Sequence, residues 1–388
     1  MRLLLLLLLA ASSLPVVAAP QLDKLSLPRG FHIAVYSDRV PDAREIALGA
    51  RGSVFVGSTD AGKVYALTDT NGDGHADKVR VIARGLQWPM GVAFRNGDLY
   101  VSAISRIYVL RDIENHLDDP PKPVLVTDRL PADTQHGGKF IAFGPDGKLY
   151  VPIGAPCNIC DPGPRYAKLT RMNADGSDSE DVARGIRNTV GFDWQPGTGH
   201  LWFTDNGRDL MGEDMPSDEL NEITRPGEHF GYPYCHQGDT PDPEFGKGRS
   251  CRDYVPPVLK LGAHVAALGM RFYEGKQFPA SYRGAILIAE HGSWNRARKS
   301  GYRVMTVRLS GNKVLSYEPL VTGFEQHETV WGRPADVQPL PDGSVLISDE
   351  LAGAVYRLSY GERDPGSGIR AAPKPARPRP EAAAGPDG

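Results

Sequence analysis

Cysteine is scarce: Cys157, Cys160, Cys235 and Cys251 are the four in 388 residues. Their even number suggests disulfides in an oxidising compartment rather than a thiol nucleophile. Closeness in sequence favours Cys157–Cys160 and Cys235–Cys251, although four cysteines allow three connectivities. There is no second C-x-x-C to complete a zinc site, and no strand–helix context of a thioredoxin motif follows Cys160, so both pairs read as loop staples. An excess of one charge is also missing. Forty-four Lys and Arg against 47 Asp and Glu leave a net charge of −3, which gives no electrostatic reason to expect nucleic acid. No glycine-rich strand–turn–helix phosphate motif occurs, which disfavours nicotinamide and ATP enzymes. Ser293 lacks a G-x-S-x-G setting, so a serine hydrolase is poorly supported.

Glycine and proline are abundant, 44 and 33 residues. Both break helix interiors, so the composition points away from a helix bundle and toward many short strands joined by turns. With 40% hydrophobic residues, most of the chain can bury a core. Met1-Arg2, the apolar run Leu3 to Leu9 and the small residues before Ala19 have the layout of a secretory signal peptide, too short for a membrane span. We therefore expect a signal at 1–18, a folded domain at 19–360 and a periplasmic or secreted location. Residues 361–388, rich in Pro, Gly and Ala with almost nothing large and apolar, are expected to form a disordered tail.

One phrase recurs along the folded part: an apolar start, a Gly-centred turn, then an alternating apolar strand. It begins at Ile46, Val92, Ile141, Phe192, Met270 and Val337, in steps of 46, 49, 51, 78 and 67. Steps near fifty built on Asp-Gly or Asn-Gly hairpins are the signature of propeller blades. One such sheet cannot bury both faces alone, so the expectation is all-β, a six-bladed β-propeller with radially packed copies. The two long steps imply insertions in the later blades, including 209–260 with the second cysteine pair; such insertions usually build a site at one end of the channel.

Several residues stand at equivalent places in these repeats. His136, Arg187 and Arg333 lie 5, 5 and 4 residues before the starts at 141, 192 and 337, so they should converge on one face near the axis. A histidine suits a general base. Beside it, Arg187-Asn188 and Arg333 suit a carboxylate-bearing ligand and a reaction that develops negative charge. Asp205-Asn-Gly207-Arg208 and His291-Gly-Ser-Trp-Asn-Arg296 could bring polar groups to the same mouth. Separately, Asp69, Asn71, Asp73 and Asp77 alternate around glycines as calcium loops do. The twelfth position is Arg80 instead of Glu, and an Asx-rich turn is the alternative.

Taken in order, the blocks His136-Gly-Gly with Phe143-Gly-Pro-Asp-Gly-Lys-Leu-Tyr150, Gly185-Ile-Arg-Asn-Thr-Val-Gly191, Thr204-Asp-Asn-Gly207, Ala289-Glu-His-Gly-Ser-Trp-Asn-Arg296 and Gly332-Arg-Pro-Ala-Asp-Val337 resemble the soluble pyrroloquinoline-quinone (PQQ)-dependent sugar dehydrogenases. The likeness is closer to their L-sorbosone dehydrogenase-like branch and spans roughly 25–360. The resemblance implies a six-bladed propeller that holds PQQ and calcium and oxidises a sugar or sugar aldehyde by hydride transfer to the quinone. An external acceptor then takes the electrons. It implies His136 as the base and Arg187 with Asn188 as holders of the quinone oxygens, Arg187 also stabilising the charge that develops there. Arg333 matches a cofactor-carboxylate contact, Gln87 a polar residue near the substrate, and the Gly207-Arg208 loop the main-chain carbonyls that hold calcium. The family's second arginine is Ala335 here. Its cofactor-binding lysine has no clean match, with His291, Asn295 or Arg296 as possible substitutes. A calcium-dependent lactonase-like hydrolase and a non-catalytic binding propeller are the competing readings, because propellers host many activities.

Overall fold

The computed structural model describes residues 20–361; the expected signal at 1–18 lies outside the described residues, as does all of the expected tail except Gly361. The described chain folds into six antiparallel sheets that follow one another in sequence as the blades of a β-propeller. From axis to rim, blade 1 comprises Ala43–Leu48, Val54–Ser58, Lys63–Thr68 and Lys78–Arg84, and blade 2 comprises Val92–Arg95, Asp98–Ser102, Ile107–Leu110 and Val124–Thr127. Blade 3 is built from Ala142–Phe143, Leu149–Ile153, Lys168–Met172 and Glu180–Arg184, and blade 4 from Phe192–Trp194, Leu201–Asp205, Ser217–Ile223 and Leu259–Ala263. Blade 5 contains Ala267–Tyr273, Ala285–Glu290, Arg303–Ser310 and Lys313–Val321. Each expected repeat start lies in, or one residue before, an innermost strand.

Local chemistry explains the hairpins. In blade 2, Arg95 pairs with Asp98 across Asn96 and Gly97, whose φ values are 52° and 90°. Two consecutive left-handed residues make the tight turn that matches strand twist, and Asn-Gly tolerates it best. The sixth blade combines Pro334–Pro339, Val345–Asp349 and Ala354–Tyr360 with Phe31–Ser37 from the other end of the chain. Phe31 stands opposite Tyr360, so the N-terminal strand closes the ring and removes an open sheet edge.

Apolar faces pack blade against blade; Phe55, Leu67, Trp202, Phe203 and Tyr356 are fully buried there, each contributing on the order of 2 kcal/mol. Around the axis, buried carboxylates bind neighbouring blades. Glu45 accepts the N–H groups of Val92 and Ile141, at 3.0 and 3.1 Å. Asp336 accepts that of Ile46, at 2.9 Å, and Asp193 that of Phe272, at 2.8 Å.

Because adjacent strands run antiparallel, the connections from one blade to the next and those joining second to third strands open on one face, here called upper. The insertion at 224–258 leaves the third strand of blade 4. It adds Glu228–His229 in parallel to the outer strand of blade 3 and carries the Cys235–Cys251 disulfide. The other disulfide is Cys157–Cys160. No helix among the described residues is long and apolar enough to cross a membrane.

Candidate active site

The upper face has an apolar floor. Met90, Val190, Leu268 and Ala335, at the upper ends of four inner strands, form one buried cluster. Ala335, where the resemblance leads one to look for an arginine, is thus part of this floor.

His136 lies in the upper connection from blade 2 to blade 3, with a left-handed φ of 51°, uncommon for a residue with a side chain. Its Nδ1 is 2.8 Å from the Ala155 carbonyl oxygen. A carbonyl can only accept, so Nδ1 carries the hydrogen, and the lone pair of the neutral ring is on Nε2. Burial first, then the Arg187 charge, lowers its pKa to about 4, so the ring is neutral at pH 7. Lys139 donates from Nζ to the Gly137 carbonyl at 2.7 Å and pins the turn that follows His136. Burial lowers the Lys139 pKa to about 8.

Arg187 and Asn188 lie in the upper connection into blade 4. Asp205, closing the second strand of that blade, accepts their backbone N–H groups at 2.9 and 2.6 Å. The Arg187 guanidinium is buried and largely committed to protein acceptors. Nε reaches the Asn158 carbonyl at 2.9 Å, Nη1 the Asn206 carbonyl at 3.2 Å, and Nη2 both Asn158 Oδ1 at 2.9 Å and Asp209 Oδ2 at 3.2 Å. Four of its five N–H donors are used, leaving one on Nη1. Gly154 allows His136 and Asn188 to lie side by side: a Cβ there would come 2.6 Å from His136 Cβ and 3.3 Å from Asn188 Oδ1.

The Gly207-Arg208 loop borders this cluster. Gly207 N donates to Asp218 at 2.9 Å. Among the described residues no backbone N–H donates to the Gly207 or Arg208 carbonyl. The Arg208 side chain points elsewhere. It is buried against the insertion, with Nη1 2.6 Å from Asp242, which also lies 2.8 Å from His236 Nε2.

Arg333 enters from blade 6, its backbone held by Asp349 at 2.8 Å, as Asp205 holds that of Arg187. Nε and Nη2 donate to the His291 and Gly292 carbonyls at 3.2 and 2.9 Å, and its other three N–H donors are uncommitted. His291 is not open to a ligand. It is buried with Nε2 2.7 Å from Glu350, off the angle of a hydrogen bond, while Glu350 also pairs with Arg44 at 3.0 Å. Arg296 is turned to the acidic loop at 213–214, 2.6 Å from Asp214. Asn295 reaches inward instead, donating to Asp209 at 2.9 Å. Gln87 is an exposed residue of the upper connection into blade 2.

The structure thus brings together His136, Arg187, Asn188 and the Gly207-Arg208 loop, with the 291–296 loop bridging Asp209 to Arg333. The Asp69–Asp77 loop is not part of this group. It joins the third and fourth strands of blade 1 and opens on the opposite face. Its side chains cap their own turn: Asp69 accepts from Gly72 N and Gly74 N at 2.7 and 2.9 Å, Asn71 from Asp73 N at 3.0 Å, Asp73 from His75 N at 2.9 Å. No three His, Cys, Asp or Glu side chains among the described residues gather at metal-ligating distance. In the structure the alternating oxygens of Asp69, Asn71 and Asp73 serve Asx turns, the alternative reading of this loop.

Sequence reasoning did not assign Asn158, Lys139, Asp209 or Glu350. Asn158 carried a signal, lying between Cys157 and Cys160; Lys139 directly follows His136-Gly-Gly.

A propeller with a polar cleft on one face is the class these observations define. The family model described as a domain of unknown function (DUF7133) matches residues 19–356, and the chain belongs to that family. An uncharacterized protein of Borreliella burgdorferi is 32% identical over 364 residues, 90% of this chain and 94% of that protein. The aldose sugar dehydrogenase YliI of Escherichia coli K12 is 24% identical over 252 residues, 60% of this chain and 62% of that protein. Among solved structures, the holo form of the pyranose dehydrogenase PQQ domain from Coprinopsis cinerea superposes with a TM-score of 0.76 at 18% identity, covering 89% of this chain and 99% of that one. A calcium structure of Trichoderma reesei Carbohydrate-Active Enzymes Family AA12 also gives 0.76, at 20% identity, with 87% and 97% covered. At these identities the likeness is one of fold.

Proposed function

We propose that this chain is an exported PQQ-dependent dehydrogenase that oxidises a sugar or sugar aldehyde of the aldose or sorbosone type and passes electrons to an external acceptor. The observation that carries the reading is the His136 tautomer. Nδ1–H is tied to Ala155, so Nε2 presents a lone pair beside Arg187 and Asn188. The names borne by the Coprinopsis, Trichoderma and E. coli proteins support sugar, quinone and calcium for related folds. Two disulfides support an oxidising compartment.

The residues present fit the cofactor. Asn188, the free Nη1 hydrogen of Arg187 and the uncommitted donors of Arg333 would hold its oxygens and carboxylates, and the carbonyls of Gly207 and Arg208 would hold calcium. When bound, the quinone supplies the two-electron acceptor for the hydride from the sugar's anomeric carbon. His136 Nε2 takes the proton of the anomeric hydroxyl as its C–O bond becomes a carbonyl. The neutral ring needs no prior deprotonation at pH 7. The Arg187 charge nearby stabilises negative charge developing in the cleft, and the apolar floor excludes water beneath it. A calcium-dependent hydrolase would instead need several carboxylate or Asn ligands meeting on one ion, and among the described residues no three His, Cys, Asp or Glu side chains gather so.

The test is a titration of metal-stripped protein with PQQ, with and without calcium, followed by absorbance on adding aldoses. Calcium-dependent binding and sugar-driven bleaching are expected; absence of binding refutes the proposal.

A further inference from the structure

Asn158 lies between the two halves of the Cys157–Cys160 disulfide, in the loop joining the second and third strands of blade 3. It makes four hydrogen bonds to two distant segments of the cleft. Its carbonyl and Oδ1 accept from Arg187 Nε and Nη2, both at 2.9 Å. Oδ1 also accepts from Asp209 N at 2.8 Å, and Nδ2 donates to the Asp209 carbonyl at 3.1 Å. Asp209 in turn touches Arg187 at 3.2 Å and Asn295 at 2.9 Å. The disulfide loop is itself seated: Cys160 N donates to Tyr232 Oη at 3.2 Å, and Cys157 Sγ lies 3.4 Å from the same oxygen.

This pattern asks for an amide. A carboxylate could accept from the guanidinium and from Asp209 N, but could not donate to the Asp209 carbonyl. An aliphatic residue would leave the buried guanidinium short of an acceptor, which costs more than an ordinary hydrogen bond. The disulfide closes a four-residue ring, so much of the entropy of ordering Asn158 is lost before its contacts form.

We infer that Asn158, held by the Cys157–Cys160 disulfide, is a positioning residue that sets the Arg187 guanidinium and the 206–209 loop. Its placement of these groups stands on geometry alone. Its consequence for cofactor retention rests on the quinoprotein reading, because the same loop carries the carbonyls assigned to calcium.

Two measurements separate these claims. Amide exchange in the cofactor-free protein reads the loop directly. In Asn158→Ala, exchange at 205–210, the Asp209 N–H above all, should speed up about tenfold or more, the effect of losing one hydrogen bond to a charged group. The strands of blades 1 and 6 should stay at wild-type rates. Asn158→Asp, which keeps both acceptors, should recover most of the protection, and Cys157→Ser/Cys160→Ser, which frees the loop, should lose it. Calcium-dependent PQQ titration should then show the dissociation constant rising about tenfold in Asn158→Ala, with partial recovery in Asn158→Asp. Wild-type exchange at 205–210 in Asn158→Ala would overturn the inference, as would equal acceleration in every blade, which marks a purely structural residue. Should Asn158→Ala fail to fold, Asn158→Ser and the double cysteine variant decide by the same exchange measurement. If wild-type protein binds no PQQ, the quinoprotein reading falls while the exchange result still decides the role of Asn158.

Discussion

Asp205 holds Arg187 by its backbone N–H at 2.9 Å, not by its guanidinium, whose carboxylate contact is Asp209. The buried carboxylate therefore fixes where the arginine starts, while its guanidinium turns to Asn158, Asn206 and Asp209. The guanidinium charge is the second cause, after burial, of the low His136 pKa.

The first prediction concerns that coupling. Observed by NMR in the cofactor-free protein, the His136 ring should titrate near pH 4. In Arg187→Gln the midpoint should rise toward the ordinary histidine value without reaching it, because one cause is removed while burial remains. The folded pKa lies below the 6.5 of an exposed ring, so the unfolded chain binds more protons between those values. The contribution of His136 to stability is accordingly full above pH 6.5 and falls as pH drops toward 4.

Replacing the proposed base should separate chemistry from binding. His136→Ala is expected to lower turnover about 10²- to 10⁴-fold, the usual range for a general base, with PQQ affinity within a few-fold of wild type. Steady-state dye reduction and the absorbance titration read the two quantities. Retained turnover would remove His136 from this role.

Gly154 gives a steric test of the same pairing. Its backbone needs no left-handed conformation, so Gly154→Ala adds only a methyl group against His136 and Asn188. A displacement of about 1 Å at a reacting group can cost about 10²-fold in rate. We expect kcat to fall about 10- to 100-fold, with Tm lowered by only a few degrees, as judged by kinetics and calorimetry.

Beneath the cleft, Glu219 is buried. Burial first, then the Asp205 charge, raises its pKa to about 8. Its oxygens accept from Gln237 N at 2.6 Å and Asn221 Nδ2 at 3.0 Å, and Asn221 Oδ1 has no partner. Between pH 4.5 and 8 the native state holds this proton more tightly than the unfolded chain does. Stability should therefore decline with rising pH across that window, by at most about 1.4 kcal/mol per unit. In Glu219→Gln, a rotated Asn221 amide could accept from the new side chain. Chemical denaturation should find this variant more stable than wild type at pH 8 and nearly equal at pH 5.

The Gly207-Arg208 and Asp69–Asp77 loops should respond differently to metal removal. Chelation is expected to weaken PQQ uptake through the Gly207 and Arg208 carbonyls. Asp69→Ala/Asp73→Ala should lower Tm by a few degrees yet leave calcium-dependent uptake unchanged, since those carboxylates cap a turn on the far face. Loss of uptake in that variant would return the loop to the metal site.

The sequence by itself determined the six blades, because Gly-centred hairpins and apolar alternation are local and each repeat writes them again. It also determined that His136, Arg187 and Arg333 share a face, since equal offsets from equivalent strands put residues at equivalent heights on a radial fold. Tertiary structure alone decided what those residues touch. Asn158 meets Arg187 twenty-nine positions away, Arg208 turns into the insertion to reach Asp242, and His291 is spent on Glu350. Closure by Phe31–Ser37 against Ala354–Tyr360 was likewise outside the repeat. The physical reason is common to all of these: such contacts form between segments that meet only after the blades have packed and the ring has closed, and no local periodicity encodes a partner across that distance.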